Sequence, residues 1–459
     1  MTYDVIIIGA GMSGIAAGIR LAHYQKKVCI LEKHYRPGGL NSFYSLEGRK
    51  FDVGLHAMTN YVPRGAGNKP LTKLLRQLRL KHEDFGLCEQ VGSAVSFPGT
   101  VLHFSNDFSL LEREIREKFP RQTGNFRKLC KHLADFNELD LNYHPVSARR
   151  VVGSYITDPL LVEMLFCPLS YYGSARENDM DFDQFAIMFK SIFQEGFARP
   201  EAGVRRIINV LLKKYKRCGG EMRLRTGVKR ISLDSGSRVQ SVTLENGDLL
   251  ETRKILSCAG YLETMNLAGI PVPKIKRKLG KLSFVEMIYV LDTPPSDLGL
   301  DKTIIFYNDS DRFAYQRPLG LVDIASGVIC CPSNFQFETP LPDNMVRVTH
   351  QANYDLWDSL SPEEYLYHKQ AWRKESLEKI STVIPDFSDS IIFTDMFTPL
   401  TIHKYTGHLK GAVYGSPEKI KNGVTPVENL FICGTDQGFL GIVGAMLSGI
   451  SMANLHALR

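Results

Sequence analysis

Three glycines and one carboxylate near the start of the chain have the types and the spacing to bind a dinucleotide. Gly9, Gly11 and Gly14 are spaced G-x-G-x-x-G directly after an apolar run. The first glycine allows a tight turn, the second lets the backbone approach a pyrophosphate, and the third lets a helix pack closely on the strand. Glu32 ends a second apolar run ~20 residues later, where a carboxylate accepts hydrogen bonds from a ribose.

The charge of Glu32 and the dipole of the following helix restrict which nucleotide can bind at this motif. The carboxylate of Glu32 would repel a 2′-phosphate, so the sequence predicts FAD or NAD and not NADP. A helix that begins after Gly11 would offer free N–H groups and the positive end of its dipole to the phosphates. Strand, turn and helix together predict a Rossmann-like domain at the start of the chain.

A second pair of glycines extends this predicted site. Gly38 and Gly39 would let the backbone lie against a ligand, and Arg36 is placed to meet phosphate charge. The alternative is a plain turn before a β-hairpin, because proline and glycine are frequent in such turns.

The C-terminal segment carries a stripe of small residues. An apolar run over 429–433 ends at Gly434-Thr435-Asp436. The small residues that follow, at helical spacing, are Gly441, Gly444, Ala445, Ser448 and Gly449. Residues 438–458 contain no Asp, Glu, Lys or Arg, but the small-residue stripe favours a buried helix over a membrane span. The N-terminus of that helix would direct positive dipole at a negative group.

Length, charge and cysteine usage restrict the class of protein. A chain of 459 residues is long enough for two or more lobes. The net charge of +7 is scattered, which argues against nucleic acid as a partner and allows weak attraction to an anionic membrane. Nine cysteines without a C-x-x-C pair predict free thiols and no metal site. We expect a cytoplasmic protein, membrane-associated at most, without a signal peptide or transmembrane helix.

Leucines at 71, 74, 75 and 78 form one face of a helix predicted over residues 69–81. Basic residues occupy much of the remaining surface of this helix. The leucine face either packs on its own domain or lies on a bilayer, through which an apolar ligand would enter. Both alternatives are open from the sequence.

Hydrophobic periodicity predicts the elements that must position these motifs. The predicted elements are a helix over 204–215, strands over 222–225, 228–233, 239–244, 249–257, 285–291 and 346–349, and a helix from 361 to about 383. Asn246-Gly247 is a two-residue hairpin signal, and Ser361-Pro362-Glu363-Glu364 is a capping box with proline at the first helical position.

The order of these elements predicts an interleaved α/β fold. We assign residues 1–68, 195–265 and 395–459 to a discontinuous nucleotide-binding domain. Residues 69–194 and 266–394 form an α+β substrate domain in this assignment.

Taken together, the motifs resemble the phytoene desaturase family of flavoproteins. The segments that carry the resemblance are GAGMSG at 9–14, EKHYRPGG at 32–39, FDVGLHAM at 51–58, TPLTIHKYTG at 398–407, FICGTD at 431–436 and GIVGAMLSG at 441–449. The carotenoid isomerase and retinol saturase branch is most similar, chiefly through FDVGLH. The resemblance implies a Rossmann-like, glutathione-reductase-type FAD-binding domain interleaved with the substrate domain.

The same resemblance implies the residues that contact FAD. They are Gly9, Gly11, Gly14, Glu32, Lys33, Arg36, Gly38, Gly39, Val228, Gly434, Asp436, Val443 and Gly444. Val228 would contact adenine through its backbone, and Asp436 would bond the ribityl chain or the pyrophosphate. Val443 and Gly444 would place a helix N-terminus at the flavin N1/C2 edge, where reduced flavin is negative.

Two positions depart from related flavoenzymes. Leu40 stands where amine oxidases have arginine after the glycine pair, which weakens an amine-oxidase assignment. The loop Gly438-Phe439-Leu440-Gly441 lacks the proline of bacterial carotene desaturases, which weakens a carotene assignment.

The resemblance predicts an FAD-dependent oxidoreductase for carbon–carbon bonds of a long apolar substrate. Its substrate would be an isoprenoid, polyene or other lipid, and it would act as a desaturase, saturase or isomerase. His56, His403 and Tyr405 are the catalytic candidates, because they lie in segments that resemble active-site loops. A purely structural role is the alternative for each of them.

Two other classes of function are kept as alternatives. The first is an amine-oxidase-like flavin oxidase on a polar substrate. The second is a non-enzymatic escort for prenylated proteins, of the Rab GDP-dissociation-inhibitor type. The intact glycine motif, Glu32 and Asp436 argue against an escort, because a protein without flavin does not need them.

Overall fold

The computed structural model describes residues 2–54, 56–138, 140–141 and 143–458, so Leu55 of the FDVGLHAM segment lies outside the described residues. The strands are β1 Thr2–Ile8, β2 Val28–Leu31, β3 Phe43–Leu46, β4 Arg49–Asp52, β5 Leu87–Glu89, β6 Ser93–Phe97, β7 Thr100–Phe104, β8 Ala198–Pro200, β9 Glu221–Arg223, β10 Val228–Leu233, β11 Val239–Leu244, β12 Leu249–Ser257, β13 Ser283–Leu291, β14 Ile304–Asn308, β15 Val322–Cys330, β16 Asn344–Ala352, β17 Ile391–Phe397 and β18 Leu430–Ile432. The α-helices are α1 Met12–His23, α2 Pro70–Leu78, α3 His82–Phe85, α4 Phe108–Lys118, α5 Thr123–Asp135, α6 Ala148–Gly153, α7 Pro159–Gly173, α8 Phe182–Phe189, α9 Val204–Arg217, α10 Tyr261–Leu267, α11 Ile275–Lys278, α12 Tyr354–Asp358, α13 Pro362–Ile380, α14 Pro399–Thr406 and α15 Gly441–Met452.

The first sheet is centred on β1 and has the order β10-β11-β12-β1-β2-β9, with β18 beside β12. β1 runs parallel to both β2 and β12, and β18 runs parallel to β12. All four residues of β2 are buried, which is why its sequence is a continuous apolar run rather than an alternating one. This sheet confirms the predicted Rossmann-like fold class.

Helices α1 and α15 pack against each other and share one hydrophobic core with β1 and β2 of this sheet. Gly14 of α1 lies so close to the β1 turn that an added Cβ would lie 2.2 Å from the carbonyl oxygen of Gly9. Ser448 of α15 accepts a hydrogen bond from the backbone N–H of Gly434 at 2.7 Å. The small-residue stripe therefore lets α15 pack directly against the backbone of neighbouring segments, as predicted for a buried helix.

The second sheet has the order β17-β13-β16-β15-β14-β6-β7. Its pairs are antiparallel except for β14 and β6, which run parallel. Helices α7 and α8 contribute to an aromatic core that packs beside this sheet. The domain boundary that we placed between residues 394 and 395 falls inside β17, an edge strand of this sheet.

Local signals in the sequence predict where several strands and one helix begin or end. β10, β11 and β12 have the predicted bounds, and Asn246-Gly247 joins β11 to β12 with a φ of 93° at Gly247. The Ser361 hydroxyl accepts from the N–H of Glu364 at 3.3 Å, and the Glu364 carboxylate accepts from the N–H of Ser361 at 2.8 Å. Both turn chemistry and capping are local, so the sequence alone predicts them.

The leucine face of α2 is directed inward. Leu71, Leu74, Leu75 and Leu78 are all buried in the core that α1 and α15 share. This face is covered by protein, so of the two alternatives the leucine face packs on its own domain and is not the surface that would lie on a bilayer. None of the described helices is both long enough and apolar enough to cross a membrane.

The α1–α15 contact yields a stability prediction. A Cβ on Gly449 would lie 1.9 Å from the carbonyl oxygen of Ser13, so α15 in Gly449→Ala must move away from α1. We expect the free energy of unfolding to fall by about 1–3 kcal/mol, as for other overpacked cores. Urea denaturation of the two proteins measures the difference.

The matched control is Gly153→Ala in α6, where nothing lies within 4 Å of the added Cβ. This variant should lose no stability, because alanine restricts the unfolded chain more than glycine does. Equal losses in both variants would contradict the close packing of α15 on α1.

Candidate active site

Two glycine-containing loops pair through their backbones to form a surface without side chains. Gly11 and Gly38 form a parallel β-bridge, and the Gly38 N–H donates to the Ala10 carbonyl at 2.8 Å. Nothing lies within 4 Å of a Cβ built on Gly11. A Cβ on Gly39 would lie 3.5 Å from the Cα of Gly11. We call residues 9–11 together with 38–39 the glycine cradle, because a ligand can lie directly on its backbone.

The N-terminus of α1 opens onto the glycine cradle. Gly11 is the N-cap residue, and no side chain caps the helix by a hydrogen bond among the described residues. The first turn also lacks acidic side chains. Its free N–H groups and positive dipole end are therefore available to an anion such as a pyrophosphate.

The carboxylate of Glu32 is held at one side of the cradle. Its Oε2 accepts from the Ala10 N–H at 2.7 Å, and its Oε1 accepts from the His34 N–H at 2.8 Å. Each carboxylate oxygen has a second lone pair, so Glu32 can still accept hydrogen bonds from two vicinal hydroxyls. This geometry suits the ribose that the sequence predicts at Glu32.

A cavity of about 560 Å³ begins at Glu32, follows the cradle and ends among aromatic side chains. Its first section is lined by Glu32, Lys33, Val228 and Glu245. Its middle is lined by Gly9, Gly11, Ser13, Gly38, Gly39, Leu40, Asn41, Cys258, Gly434, Thr435, Gly441 and Ile442. Its far section is lined by His56, Ala57, Tyr171, Tyr172, Phe284, Glu286, Val328, Thr349, Val413, Tyr414 and Leu440.

Most of the predicted cofactor contacts lie on this cavity. The predicted residues among its lining are Gly9, Gly11, Glu32, Lys33, Gly38, Gly39, Val228 and Gly434. The predicted residues outside its lining are Gly14, Arg36, Asp436, Val443 and Gly444. On α15 it is Gly441, Ile442 and Ala445 that face the cavity, so this helix does point its N-terminus there.

Asp436 and Arg36 contact protein in the structure. Asp436 is buried and accepts from the N–H groups of Tyr261 at 2.6 Å and Ser416 at 2.7 Å. It thereby fixes the loop that carries Gly434 and Thr435. The Arg36 guanidinium packs over the ring of Phe43, with its carbon 5.0 Å from the ring centroid. Their direct contact with the cofactor stays a prediction.

The far section is aromatic and neutral. Tyr171 of α7 shares a hydrogen bond with the Ser326 hydroxyl at 2.8 Å, and the Tyr414 hydroxyl donates to the Tyr171 carbonyl. Burial raises the pKa of both tyrosines, so both hydroxyls stay protonated. The Phe284 ring lies 5.9 Å from Tyr171 and 6.1 Å from Tyr414, centroid to centroid. This section suits an apolar, unsaturated ligand.

His56 is the catalytic candidate that reaches this section. Its Nε2 lies 3.2 Å from Glu286 Oε2 and 3.2 Å from Thr349 Oγ1. Burial would raise the pKa of Glu286, but the adjacent Arg347 and His56 side chains together outweigh burial and hold that pKa below its ordinary value. The ionised carboxylate only accepts hydrogen bonds, so His56 Nε2 must carry a proton. Nδ1 is then the ring nitrogen left to exchange a proton.

The charge of Glu286 is compensated inside the protein. Arg347 from β16 pairs with Glu286 from β13, and both side chains are almost fully buried. Arg347 also donates to the Val53 carbonyl at 2.6 Å, close to His56 in the chain. A second buried pair, Arg199 with Asp52 at 2.6 Å, lies beside it, and Arg199 also donates to the His56 carbonyl at 3.0 Å. Each of these two buried carboxylates thus has its own cation.

The other two catalytic candidates lie elsewhere. The Nδ1 of His403 is 2.7 Å from the His408 carbonyl, and its ring packs on Tyr354 outside the cavity lining. Tyr405 lies at the cavity margin, is 47% exposed and packs edge-on against His34. The catalytic roles of His403 and Tyr405 stay predictions.

Sequence reasoning missed Glu286, Arg347 and Thr349. Glu286 is a single charge in the apolar run SFVEMIYVL, and Arg347 interrupts the strand NMVRVTHQA. A charge inside a buried strand is costly unless it is paired. Each of these two charges could therefore have been recognised in the sequence as a member of a buried ion pair. The sequence does not show that β13 and β16 are neighbours, with Met287 opposite Val348, which brings the two charges together.

Several known proteins resemble this chain in sequence or in fold. A profile of the flavin containing amine oxidoreductase family matches residues 12–455. The chain is 24% identical to the chloroplastic prolycopene isomerase of Arabidopsis thaliana, over 98% of this chain and 82% of that protein. It is 22% identical to the all-trans-retinol 13,14-reductase of Danio rerio, over 98% and 85% of the two chains. An oxidoreductase from Methanosarcina mazei has the same fold, with a TM-score of 0.67 at 16% identity over 99% and 100% of the two chains.

These matches confirm the predicted resemblance and identify the cofactor as FAD. The glycine cradle and the α1 N-terminus fit the pyrophosphate, and Glu32 fits the adenosine ribose. The α15 N-terminus fits the flavin edge on which reduction places negative charge.

The open space above Gly11 yields a binding prediction. Its φ of −68° is compatible with any residue, so Gly11→Val should fold normally. The added side chain would project into the cradle, and we expect FAD affinity to fall about tenfold or more, which corresponds to ~1.4 kcal/mol. Flavin absorbance per chain after gel filtration measures the effect.

Gly67→Val is the control, because nothing lies within 4 Å of its Cβ and it is outside the cavity lining. It should retain wild-type flavin content. Normal flavin content in Gly11→Val would show that the pyrophosphate does not lie on Gly11.

Proposed function

We propose that this chain, which belongs to the flavin containing amine oxidoreductase family, acts on carbon–carbon bonds of a long apolar polyene or related lipid. The chain is an FAD-dependent oxidoreductase. The observation that carries the proposal is the aromatic far section, which continues directly from the glycine cradle within one cavity. The reaction is desaturation, saturation or isomerisation.

The chemistry of the far section supports an apolar substrate. The hydroxyls of Tyr171 and Tyr414 are used in hydrogen bonds to protein, so neither needs a polar partner on the substrate. The carboxylate of Glu286, which lines this section, is neutralised by Arg347. Two relatives support the same substrate class, since prolycopene and all-trans-retinol, after which they are named, are both polyenes.

The positions of the residues indicate the role of each one in the proposed reaction. Bound in this cavity, FAD would supply the hydride chemistry of the reaction. The cradle and Glu32 hold the cofactor, while the aromatic far section aligns the substrate and excludes water. His56 holds or moves a proton at Nδ1, and Glu286 and Thr349 orient its ring.

The polar-substrate alternative is less well supported. An amine cation in the far section would need a negative partner, and Glu286 is already paired with Arg347. The escort alternative does not account for the family, which is one of enzymes. A flavin oxidase on a polar substrate is therefore the second candidate to test.

The test is a product assay on the purified holoenzyme. All-trans-retinol, a poly-cis carotene and an aliphatic diamine are each incubated with oxidised and with chemically reduced enzyme, and products are separated by chromatography. We expect conversion of a polyene with at least one flavin state. Hydrogen peroxide release with the diamine, and no conversion of either polyene, would overturn the proposal.

The position of His56 yields a catalytic prediction. His56→Ala should lower kcat for the polyene about 10²–10⁴-fold, the usual contribution of a positioned acid or base. Its flavin content should match wild type, because no cofactor contact is assigned to His56. Steady-state kinetics and the flavin spectrum measure the two effects separately.

His103→Ala is the matched control for this variant. His103 also pairs with a glutamate, its Nδ1 lying 3.0 Å from Glu114 Oε2, but it is remote from the cavity lining. Its kcat should equal that of wild type. If His56→Ala loses flavin along with activity, the role of His56 is structural.

A further inference from the structure

Two cysteines lie side by side where the strands of the first sheet reach the glycine cradle. Cys258 directly follows β12, and Cys433 directly follows β18. The two strands are parallel, with Ser257 opposite Ile432, and the Cys433 N–H donates to the Ser257 carbonyl at 2.9 Å. The two sulfur atoms are 3.2 Å apart. Neighbouring strands are ~4.8 Å apart, a Cα separation that a disulfide spans without backbone movement.

The two thiols differ in access. Cys433 is 1% exposed, whereas Cys258 is half-buried and lines the middle of the cavity. The hydrogen bond with Cys258, together with burial, raises the pKa of the Cys433 thiol well above its ordinary value. Cys258 is therefore the sulfur that a reagent in the cavity reaches first, and Cys433 is held behind it as a protonated thiol.

The pair is in contact with the cofactor-binding loop. A Cβ added to Gly14 would lie 3.1 Å from the Sγ of Cys258. A Cβ added to Gly9 would lie 3.5 Å from the Cβ of Cys258. The Cys258 N–H donates to the Ile8 carbonyl at 2.9 Å, immediately before the first glycine of the motif. Any change of the Cys258 side chain thus occurs directly beneath the turn that carries the pyrophosphate.

We propose that Cys258 and Cys433 are a site of reversible oxidation, which closes to a disulfide when the cavity holds no FAD and is shielded when FAD is bound. The reduced pair is the form seen in the structure. The inference rests on FAD binding at the glycine cradle and not on the identity of the substrate. It holds equally for a polyene enzyme and for an oxidase of polar substrates.

The chemistry balances with hydrogen peroxide as the oxidant. The Cys258 sulfur takes one oxygen atom from peroxide to give a sulfenic acid, and one water is released. The Cys433 sulfur then attacks the Cys258 sulfur, the S–O bond breaks, the S–S bond forms, and a second water leaves. Two thiols lose two electrons and two protons in total, and peroxide is reduced to two waters. A low-molecular-weight thiol reverses the reaction by exchange.

Position in the cavity couples this oxidation to the cofactor. Cys258 shares the cavity wall with Gly9, Gly11 and Gly434, on which FAD would lie. Bound FAD therefore separates the Cys258 sulfur from peroxide in solution. Oxidation then proceeds only through the FAD-free fraction of the protein, so its rate falls as FAD occupancy rises.

Peptide mapping of the full-length chain tests the proposal. The wild-type protein, with flavin removed or with FAD restored, is treated with hydrogen peroxide, alkylated, digested and analysed by mass spectrometry. We expect a peptide pair crosslinked between Cys258 and Cys433 in the flavin-free protein, which dithiothreitol separates. At FAD near ~10 times its Kd, the crosslink should form about tenfold more slowly.

Two variants identify the sulfur that reacts first. Cys433→Ser should leave a sulfenic acid on Cys258 that dimedone traps, whereas Cys258→Ser should leave Cys433 unmodified. Cys218→Ser is the matched control, since Cys218 is also half-buried but lies at the end of α9, and it should form the crosslink at the wild-type rate.

Two results would overturn the proposal. The first is oxidation of other cysteines in the flavin-free protein while Cys258 and Cys433 stay reduced. The second is a crosslink that forms at equal rates with and without FAD. Absence of polyene turnover bears on the proposed function alone, because the crosslink is measured without substrate.

Discussion

Close approach of backbone to backbone at glycine is the constraint on which this structure depends. α15 reaches α1 because Gly449 has no side chain where the Ser13 carbonyl lies, and α1 reaches β1 because Gly14 has none above Gly9. These contacts hold the turn between β1 and α1 in place. The bridge from Gly11 to Gly38 then brings the second glycine loop beside it. The same absence of Cβ atoms that permits packing also leaves the backbone bare for a pyrophosphate.

The far end of the cavity contains buried charged side chains, in contrast to the glycine backbone at the other end. There the carboxylates are buried, and each is paired inside the protein: Glu286 with Arg347 and Asp52 with Arg199. Such pairs rarely add stability, since desolvation cancels much of the attraction, but they fix geometry. Here they orient the ring of His56 and leave the surrounding surface electrically neutral. A cavity with a polar cofactor end and an apolar, aromatic end is the result.

Secondary-structure elements were predictable where the signal is local in the chain. The hairpin at Asn246-Gly247 and the capping box at Ser361 depend on residues within a few positions, and both are present. The leucine face of α2 shows the limit, because periodicity reports that a face is apolar and not what covers it. His56 was found through a motif, whereas its partners Glu286 and Thr349 are more than 200 residues away in the chain.

The sequence by itself determined the strand–turn–helix–strand unit from Thr2 to Glu32, since its turn, its helix start and its carboxylate lie close together in the chain. Only the tertiary structure decided the aromatic end of the cavity. Its wall is assembled from α7, β13, β15, β16 and the segment around Tyr414, which meet because of sheet order rather than chain order. The pairing of Cys258 with Cys433 arises in the same way, from the neighbouring ends of β12 and β18. Contacts between distant segments depend on strand neighbours and register, and no spacing within one segment encodes them.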